Sequence, residues 1–264
     1  MITDYPIALT IAGSDCSAGA GIQADLKTFL QHKVHGLTAV TSVVAETPLE
    51  VRRVSPIPVP MLQDQIHILL ETYPVNVIKI GLLPTRASVI AVAEILQNNT
   101  TPSVLDPVMV ASAGSALSND ETTQALCHKL LSQASLVTPN IPEAEVILNR
   151  SITTEHDLES AAHDIADKHQ ISCLLKGGHL AGNSDRLDVL WHNGKAFHYY
   201  HPTVNLPSGI HGTGCTLSSA IAANIALKLP IEQSVEAGIS YVQKLIVTAN
   251  KWRGLGQDVR CLGW

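Results

Sequence analysis

The chain has 264 residues, 45% of them hydrophobic but only 4% aromatic, and a formal net charge of −6. An acidic balance without basic clusters excludes an electrostatic footprint for nucleic acid or anionic membrane, and no stretch approaches the ~18 consecutive apolar residues of a membrane span. Five cysteines, odd in number and without a C-x-x-C pair, read as the reduced thiols of a cytoplasmic protein rather than a disulfide frame or zinc site. The opening MITDYPIALTIAG has an early acid and no basic stretch, so it does not read as a signal peptide. β-Branched runs predict strands at 7–12, 37–45, 76–80, 103–106, 135–138 and 172–176. Helical patterns lie at 20–33, 59–73, 85–98, 118–132, 142–149 and 155–169. The Pro-Ile-Pro-Val-Pro run at 56–60 stops a strand and opens the next helix. Asn193-Gly194 predicts a hairpin between strands 186–192 and 195–200, and helices at 213–228 and 231–252 close the chain. Strands alternating with helices specify a mostly parallel sheet covered on both faces, in one domain spanning 1–264.

Ligands of such sheets gather at the carboxyl ends of the strands. Gly13-Ser14-Asp15 follows the first predicted strand and Glu46 the second. Gly81 follows the third, Asp106 ends the fourth, Asn140 follows the fifth, and Lys176-Gly177-Gly178-His179 ends the sixth. The most informative segment is GIHGTGCTLSS at 209–219, where small residues open a helix. The orphan N–H groups and dipole of a first turn make an anion site there, and the same positive potential favours a Cys215 thiolate. Its plainer reading is a glycine-rich helix cap with Cys215 packed inside. The loop at 13–28 lacks the third glycine of a dinucleotide fingerprint and the G-K-S/T of a P-loop; Asp25 and Lys27 read as decoration of the helix behind it. Asn140-Ile141-Pro142-Glu143 is explained by a helix start, or by ligands reaching a magnesium ion through water. Lys176 meets nucleotide phosphates or is a solvated turn. The twelve histidines include no H-E-x-x-H, and His211 lies only four residues from Cys215, a poor spacing for a nucleophile and its base.

Six segments in order resemble one family: IAGSDCSAGAGIQADLKTF (11–29), KIGLL (79–83), LDPVMVASAG (105–114), TPNIPEAEVIL (138–148), LLKGGH (174–179) and HGTGCTLSSAIAA (211–223). Across essentially its full length the chain looks like a hydroxymethylpyrimidine/phosphomethylpyrimidine kinase, the thiamine-biosynthetic branch of the ribokinase-like superfamily. The resemblance implies a three-layer α/β/α fold and ATP-dependent phosphorylation of an aminopyrimidine alcohol, 4-amino-5-hydroxymethyl-2-methylpyrimidine, to its monophosphate and then its diphosphate. It also implies roles: Gly212, Thr213 and Gly214 as the anion hole and Cys215 as proton acceptor. Gly13, Asp15, Glu46, Leu82 and Val108 would hold the pyrimidine, and Asn140, Lys176 and Gly178 the nucleotide phosphates. Glu143 and Asp106 would reach Mg2+ through water, and the assembly would be a homodimer. Cys16 and Ala18 stand where proline and glycine are common, the chain end lacks the usual glycine-proline, and Glu46 replaces a usual glutamine. That last change matters, because an ionised carboxylate only accepts hydrogen bonds whereas an amide also donates. A pyridoxal-type kinase of the same superfamily and a non-catalytic pyrimidine-binding protein are the alternatives.

Overall fold

Strand β1 (Ile7–Asp15) is the hub of the sheet. Successive strand side chains point to opposite faces, so Leu9 and Ile11 enter one core and Ala8 the other. The structure, a computed structural model, describes residues 5–109, 119–178, 185–203, 210–253 and 258–264, without the side chains of 253, 258 and 259. Parallel neighbours β2 (His35–Thr47) and β4 (Val77–Ile80) flank β1, and β5 (Ser103–Leu105), β6 (Leu136–Val137) and β7 (Ser172–Lys176) continue the parallel run. The antiparallel pair β8 (Asp185–His192) and β9 (Lys195–Pro202) closes one edge, and β3 (Glu50–Pro56), antiparallel to β2, closes the other. Among the described residues this makes a nine-stranded sheet of order β3-β2-β1-β4-β5-β6-β7-β8-β9. The chain order reverses between β1 and β4, the crevice where open parallel sheets place their ligands.

Helices cover both faces, the three-layer α/β/α arrangement that the resemblance implied. On one side lie α1 (Gly21–Gln31), α7 (Thr213–Ala226) and α8 (Ile231–Val247), packed through Phe29, Ile221 and Val242. The other side holds α2 (Val59–Thr72), α3 (Arg86–Gln97), the short α4 (Asp120–Ala125), α5 (Ile141–Leu148) and α6 (Glu155–His169), with Ile66, Val92, Ile147 and Ile165 in their shared core. Side-chain caps start several of them. Thr85 and Ser88 form a reciprocal capping box on α3, and Thr154 and Asp157 do so on α6.

Three expectations need correction. β3 was not anticipated, because its turn is Pro48-Leu49 without an Asn-Gly signal and its exposed edge carries Arg52 and Arg53. The helix expected over 231–252 ends at Val247, and the chain finishes as an antiparallel pair, β10 (Asn250–Arg253) with β11 (Asp258–Cys261). The helix expected over 118–132 tightens and widens in turn: after α4 the chain makes one π turn, Leu126–Leu130, and one 3-10 turn, Leu131–Gln133. Residue 118, residues 110–114 of the third motif, His179 and Gly209 lie outside the described residues.

Asp25 does not decorate a helix surface. It is fully buried, accepts both hydrogen bonds of a bidentate contact from Lys79 Nζ (2.9 Å each), and takes hydroxyl protons from Thr10 Oγ1 (2.6 Å) and Ser219 Oγ (2.6 Å). Removing one partner from a buried ion pair leaves a bare charge and costs about 3–5 kcal/mol. Lys79→Met is expected to lower stability by about that amount in urea unfolding, and adding Asp25→Asn should restore at least half of it, because the neutral amide leaves no buried charge, accepts from one of the two hydroxyls (Thr10 or Ser219) and donates to the other. A loss under ~1 kcal/mol for Lys79→Met alone would show that the pair is not the fixed point described here.

Candidate active site

The loop after β1 is organised by one carboxylate. Asp15 accepts from Ser17 N (2.7 Å), Ser17 Oγ (3.0 Å), Gly19 N (3.0 Å), Ala20 N (2.8 Å) and His211 Nε2 (3.1 Å). Burial works against its charge, yet the bonds from His211, Ser17 and Ala20 outweigh it and hold the carboxyl down at about 2. Asp15 therefore stands behind the cleft wall, saturated, and braces the loop; among the expected pyrimidine-binding residues it is the one that does not line the cleft. Ala18 adopts φ 59°, the left-handed region that favours glycine.

The start of α7 faces this loop. Gly212 sits at φ 84°, and a Cβ there would run into the Gly19 carbonyl, so backbone packs directly on backbone. No side chain caps α7, which leaves first-turn N–H groups free at the cleft. Thr213, Gly214 and Cys215 follow, and all three line it. The expectation of a thiolate at Cys215 is not met: burial pushes the thiol up to about 11, Asp25 and Asp106 add to the rise, and Lys79 and the Gly21 N–H only partly oppose it. Desolvation wins over the helix start.

Beside α7 lies an acidic pair around one ammonium. Lys176 Nζ bonds Asp106 Oδ1 (3.1 Å), and Asp106 also receives Thr138 Oγ1 (3.3 Å) and, more loosely, Ser218 Oγ (3.5 Å). Asn140 and Glu143 form a capping box on α5: Glu143 N donates to Asn140 Oδ1 (2.9 Å) and Asn140 N to Glu143 Oε2 (2.8 Å). The structural explanation of that motif is thus correct, and both residues line the cleft as well. Burial raises Glu143 to about 7 against the pull of Lys176, with Asp106 adding to the rise.

These groups surround one cleft of about 570 Å3, a size that suits small-molecule ligands. Gly13, Glu46, Leu82 and Val108 line it near β1, β2 and β4, and Lys176 and Gly178 line it near β7. Sequence reasoning missed Lys79, Arg186, Asp188, His201 and Gln243, which also line it. His201 bridges Asp188 (3.1 Å) and Gln243 (2.8 Å), and Asp188 fixes the strand end by accepting from Gly177 N (2.9 Å). A signal existed for Lys79, since a lysine inside the apolar run NVIKI must find a buried partner; Gln243 lies in a helix far along the chain and carried none.

The two glycines of the loop differ in what they tolerate. A Cβ on Gly214 would meet Asp106 Oδ2 at 3.4 Å and Lys176 Nζ at 3.7 Å, ordinary contact, whereas one on Gly212 would overlap backbone. Gly212→Ala is expected to reduce kcat/KM at least about 100-fold, Gly214→Ala less than about tenfold, and Gly214→Val to resemble Gly212→Ala; tenfold is ~1.4 kcal/mol. Steady-state kinetics on the three variants checks the order, and an equal loss in Gly214→Ala and Gly212→Ala would refute it.

The chain is similar to known proteins along most of its length. Residues 15–257 match the family model for phosphomethylpyrimidine kinase. A hydroxymethylpyrimidine/phosphomethylpyrimidine kinase of Synechococcus elongatus is 39% identical over 241 residues, covering 91% of each chain. A Schizosaccharomyces pombe relative named for the same activity is 39% identical over 261 residues, 91% of this chain but 47% of that protein, so the chain spans about half that relative's length. Among solved structures, phosphomethylpyrimidine kinase from Clostridium difficile superposes with a TM-score of 0.81 at 33% identity, covering 91% of this chain and 99% of that one. The ADP complex of Bacillus subtilis pyridoxal kinase gives 0.87 at 30%, covering 98% and 97%. With the family model matching most of its length and a relative 39% identical over 91% of both chains, the chain belongs to the phosphomethylpyrimidine kinase family.

Proposed function

We propose that the protein transfers the terminal phosphoryl group of ATP to the hydroxymethyl group of an aminopyrimidine, and then a second one to the resulting monophosphate. The observation that carries this reading is the uncapped start of α7 in the cleft, between the Lys176–Asp106 pair and the pocket that holds Glu46. Phosphoryl transfer asks for alignment and charge neutralisation more than covalent chemistry. The first-turn N–H groups at Gly212–Cys215 would meet the moving phosphoryl group. Among the lining residues, the small or apolar Gly13, Leu82 and Val108 would stack on a planar ring, and Ile239, Val242 and Gln243 would receive the nucleoside. Lys176 and Gly178 would lie along the phosphates. Asp106 and Glu143 fit Mg2+ through water: they are hard oxygen donors, and Glu143 is raised in part because Asp106 adds a second buried negative charge. When bound, the ion would supply charge neutralisation for the phosphates.

The rest of the assignment belongs to the same proposal: a single kinase domain over 1–264, a homodimer, and a cytoplasmic setting, which the five unpaired cysteines support. No helix among the described residues is long and apolar enough to cross a membrane. Pyridoxal is the competing substrate, because pyridoxal kinases share the fold closely. ADP release measured with hydroxymethylpyrimidine, its monophosphate and pyridoxal decides. Turnover of both pyrimidines supports the reading, and faster turnover of pyridoxal or no ADP release with the pyrimidines overturns it.

Cys215 separates the two steps. The alcohol must lose a proton during transfer, and a positioned base contributes typically ~10²–10⁴-fold. The monophosphate, with a second pKa of about 6, already offers an anionic oxygen. Because the thiol titrates at about 11, its base form grows with pH through the neutral and alkaline range. Alcohol phosphorylation is therefore expected to rise with pH between about 7 and 9, and Cys215→Ala to remove that slope and at least about 100-fold of the rate. Phosphorylation of the monophosphate by the same variant should stay within about threefold. Equal losses in both steps would make Cys215 a packing residue of the anion hole.

A further inference from the structure

Glu46, Asp15 and His211 each bring one polar side-chain atom to a common point, all within 4.8 Å of one another, at the β2 side of the cleft. A carboxylate, a carboxylate and an imidazole invite a metal reading, but the saturation of Asp15 argues against it. Asp15 already accepts from five donors, and the His211 nitrogen nearest to it is one of them. Among the described residues, two groups of the cluster remain without a partner: the buried Nδ1 of His211 and the Glu46 carboxylate, which lines the cleft, half-buried and close to a carboxylate whose charge is locked. The Glu46 side chain has no hydrogen-bond donor of its own among the described residues; only its backbone carbonyl is engaged, by Cys16 Sγ (3.2 Å).

The groups facing Glu46 are few. From β1 and its loop come Asp15 and Cys16, and from the loop before α7 comes His211, with Cys261 of β11 bridged to it. β3 sets Val51 opposite Glu46; its Arg53 is opposite Ala45, and Arg52 is turned to Glu50 (2.6 Å). His211 is thus the single basic side chain of the cluster among the described residues, and its Nε2 is bound to Asp15.

We propose that Glu46 reads its ligand with a proton: binding of the aminopyrimidine takes up one proton, shared between the Glu46 carboxyl and a ring nitrogen. This rests on the kinase reading above. An amidine edge offers one acceptor, the ring nitrogen, beside one donor, the exocyclic amine. A neutral carboxyl matches that edge with O–H to the nitrogen and C=O from the amine; an ionised carboxylate matches it only if the ring nitrogen carries the proton. Either way the complex holds one proton more than the free carboxylate and the free neutral ring together. The proton comes from solvent, and no covalent bond to carbon or phosphorus changes. Burial and the neighbouring Asp15 charge push Glu46 upward, partly offset by His211, so the uptake is achieved nearer neutrality than an exposed glutamate would allow. Since the bound state carries the extra proton, affinity falls as pH rises.

The test is calorimetric titration of the whole protein with hydroxymethylpyrimidine near pH 8 in two buffers of different ionisation heat, which counts the protons taken up. Wild type is expected to take up close to one proton per ring, with Kd weakening up to tenfold per pH unit above neutrality. Glu46→Gln, whose amide donates and accepts without a proton, is expected to bind with no uptake and a flat pH dependence. Zero uptake in wild type, or uptake that persists in Glu46→Gln, overturns the proposal. ADP release with the pyrimidine keeps the two ideas apart: turnover without proton uptake sinks this inference alone, whereas no binding and no turnover in either protein sinks the kinase reading.

Discussion

A single buried ammonium fixes the geometry of the cleft. Lys79 stands in the central strand β4 and has no exposure to water, a position tolerable only with a matched partner. Asp25 supplies it, and the same carboxylate draws in Thr10 from β1 and Ser219 from α7. Sheet, first helix and glycine-loop helix are therefore tied at one point. Because hydrogen-bonded charges in a dry interior hold narrow geometry, the pair sets how far the first turn of α7 projects over the strand ends. Lys79 also keeps a positive charge under Cys215, raised far above the ordinary lysine range despite burial because Asp25, Cys215 and Asp106 all favour it.

A second lock lies on the surface side of that point. Gly212 rests on the Gly19 carbonyl, and the adjacent His211 reaches Asp15, which gathers the amides of the β1 loop. The chain's last strand joins there too, through the bridge of His211 with Cys261. Two segments about 190 residues apart in sequence thus become one rigid wall. Any residue larger than glycine at 212 would pry it open, whereas residue 214 faces the Lys176–Asp106 pair with room for a methyl group.

Much of this was legible in the sequence, for reasons that show where legibility stops. The parallel strands were readable because both their faces are buried, giving continuous apolar runs such as SCLLK. β3 was not, since an edge strand with one exposed face need not be apolar. Short-range site signals survived: the glycine loop, the strand-end Lys176 and the Asn140–Glu143 box all depend on neighbours within a few residues. Long-range pairings did not. Nothing local tells Asp25 that it will meet Lys79, or His201 that it will meet Asp188 and Gln243, and Asp15 looked like a ligand contact until its five donors were seen. The thiol state of Cys215 was missed because a helix dipole can be read from sequence whereas desolvation requires the packed neighbours.

The electrostatics of the cleft give a reason for backbone groups rather than side chains to carry the proposed transfer point. Lys79 is matched by Asp25 and Lys176 by Asp106, so each pair is close to neutral as seen by an incoming phosphate. Glu143 adds further negative charge when ionised. A chain of phosphates, and still more a phosphate monoester approaching it, therefore needs positive potential from elsewhere. Two such sources, beside Arg186 on the cleft wall, are the uncapped N–H groups of α7, which no side chain neutralises, and, in the proposed reaction, a divalent cation arriving with the nucleotide. The first is permanent and directional; the second comes and goes with substrate. A site whose lysines are already paired stays stable when empty, and the start of the helix attracts anions without a side-chain charge. That is a sufficient reason for the small residues to be concentrated at 212–215 and not along the lysine strands.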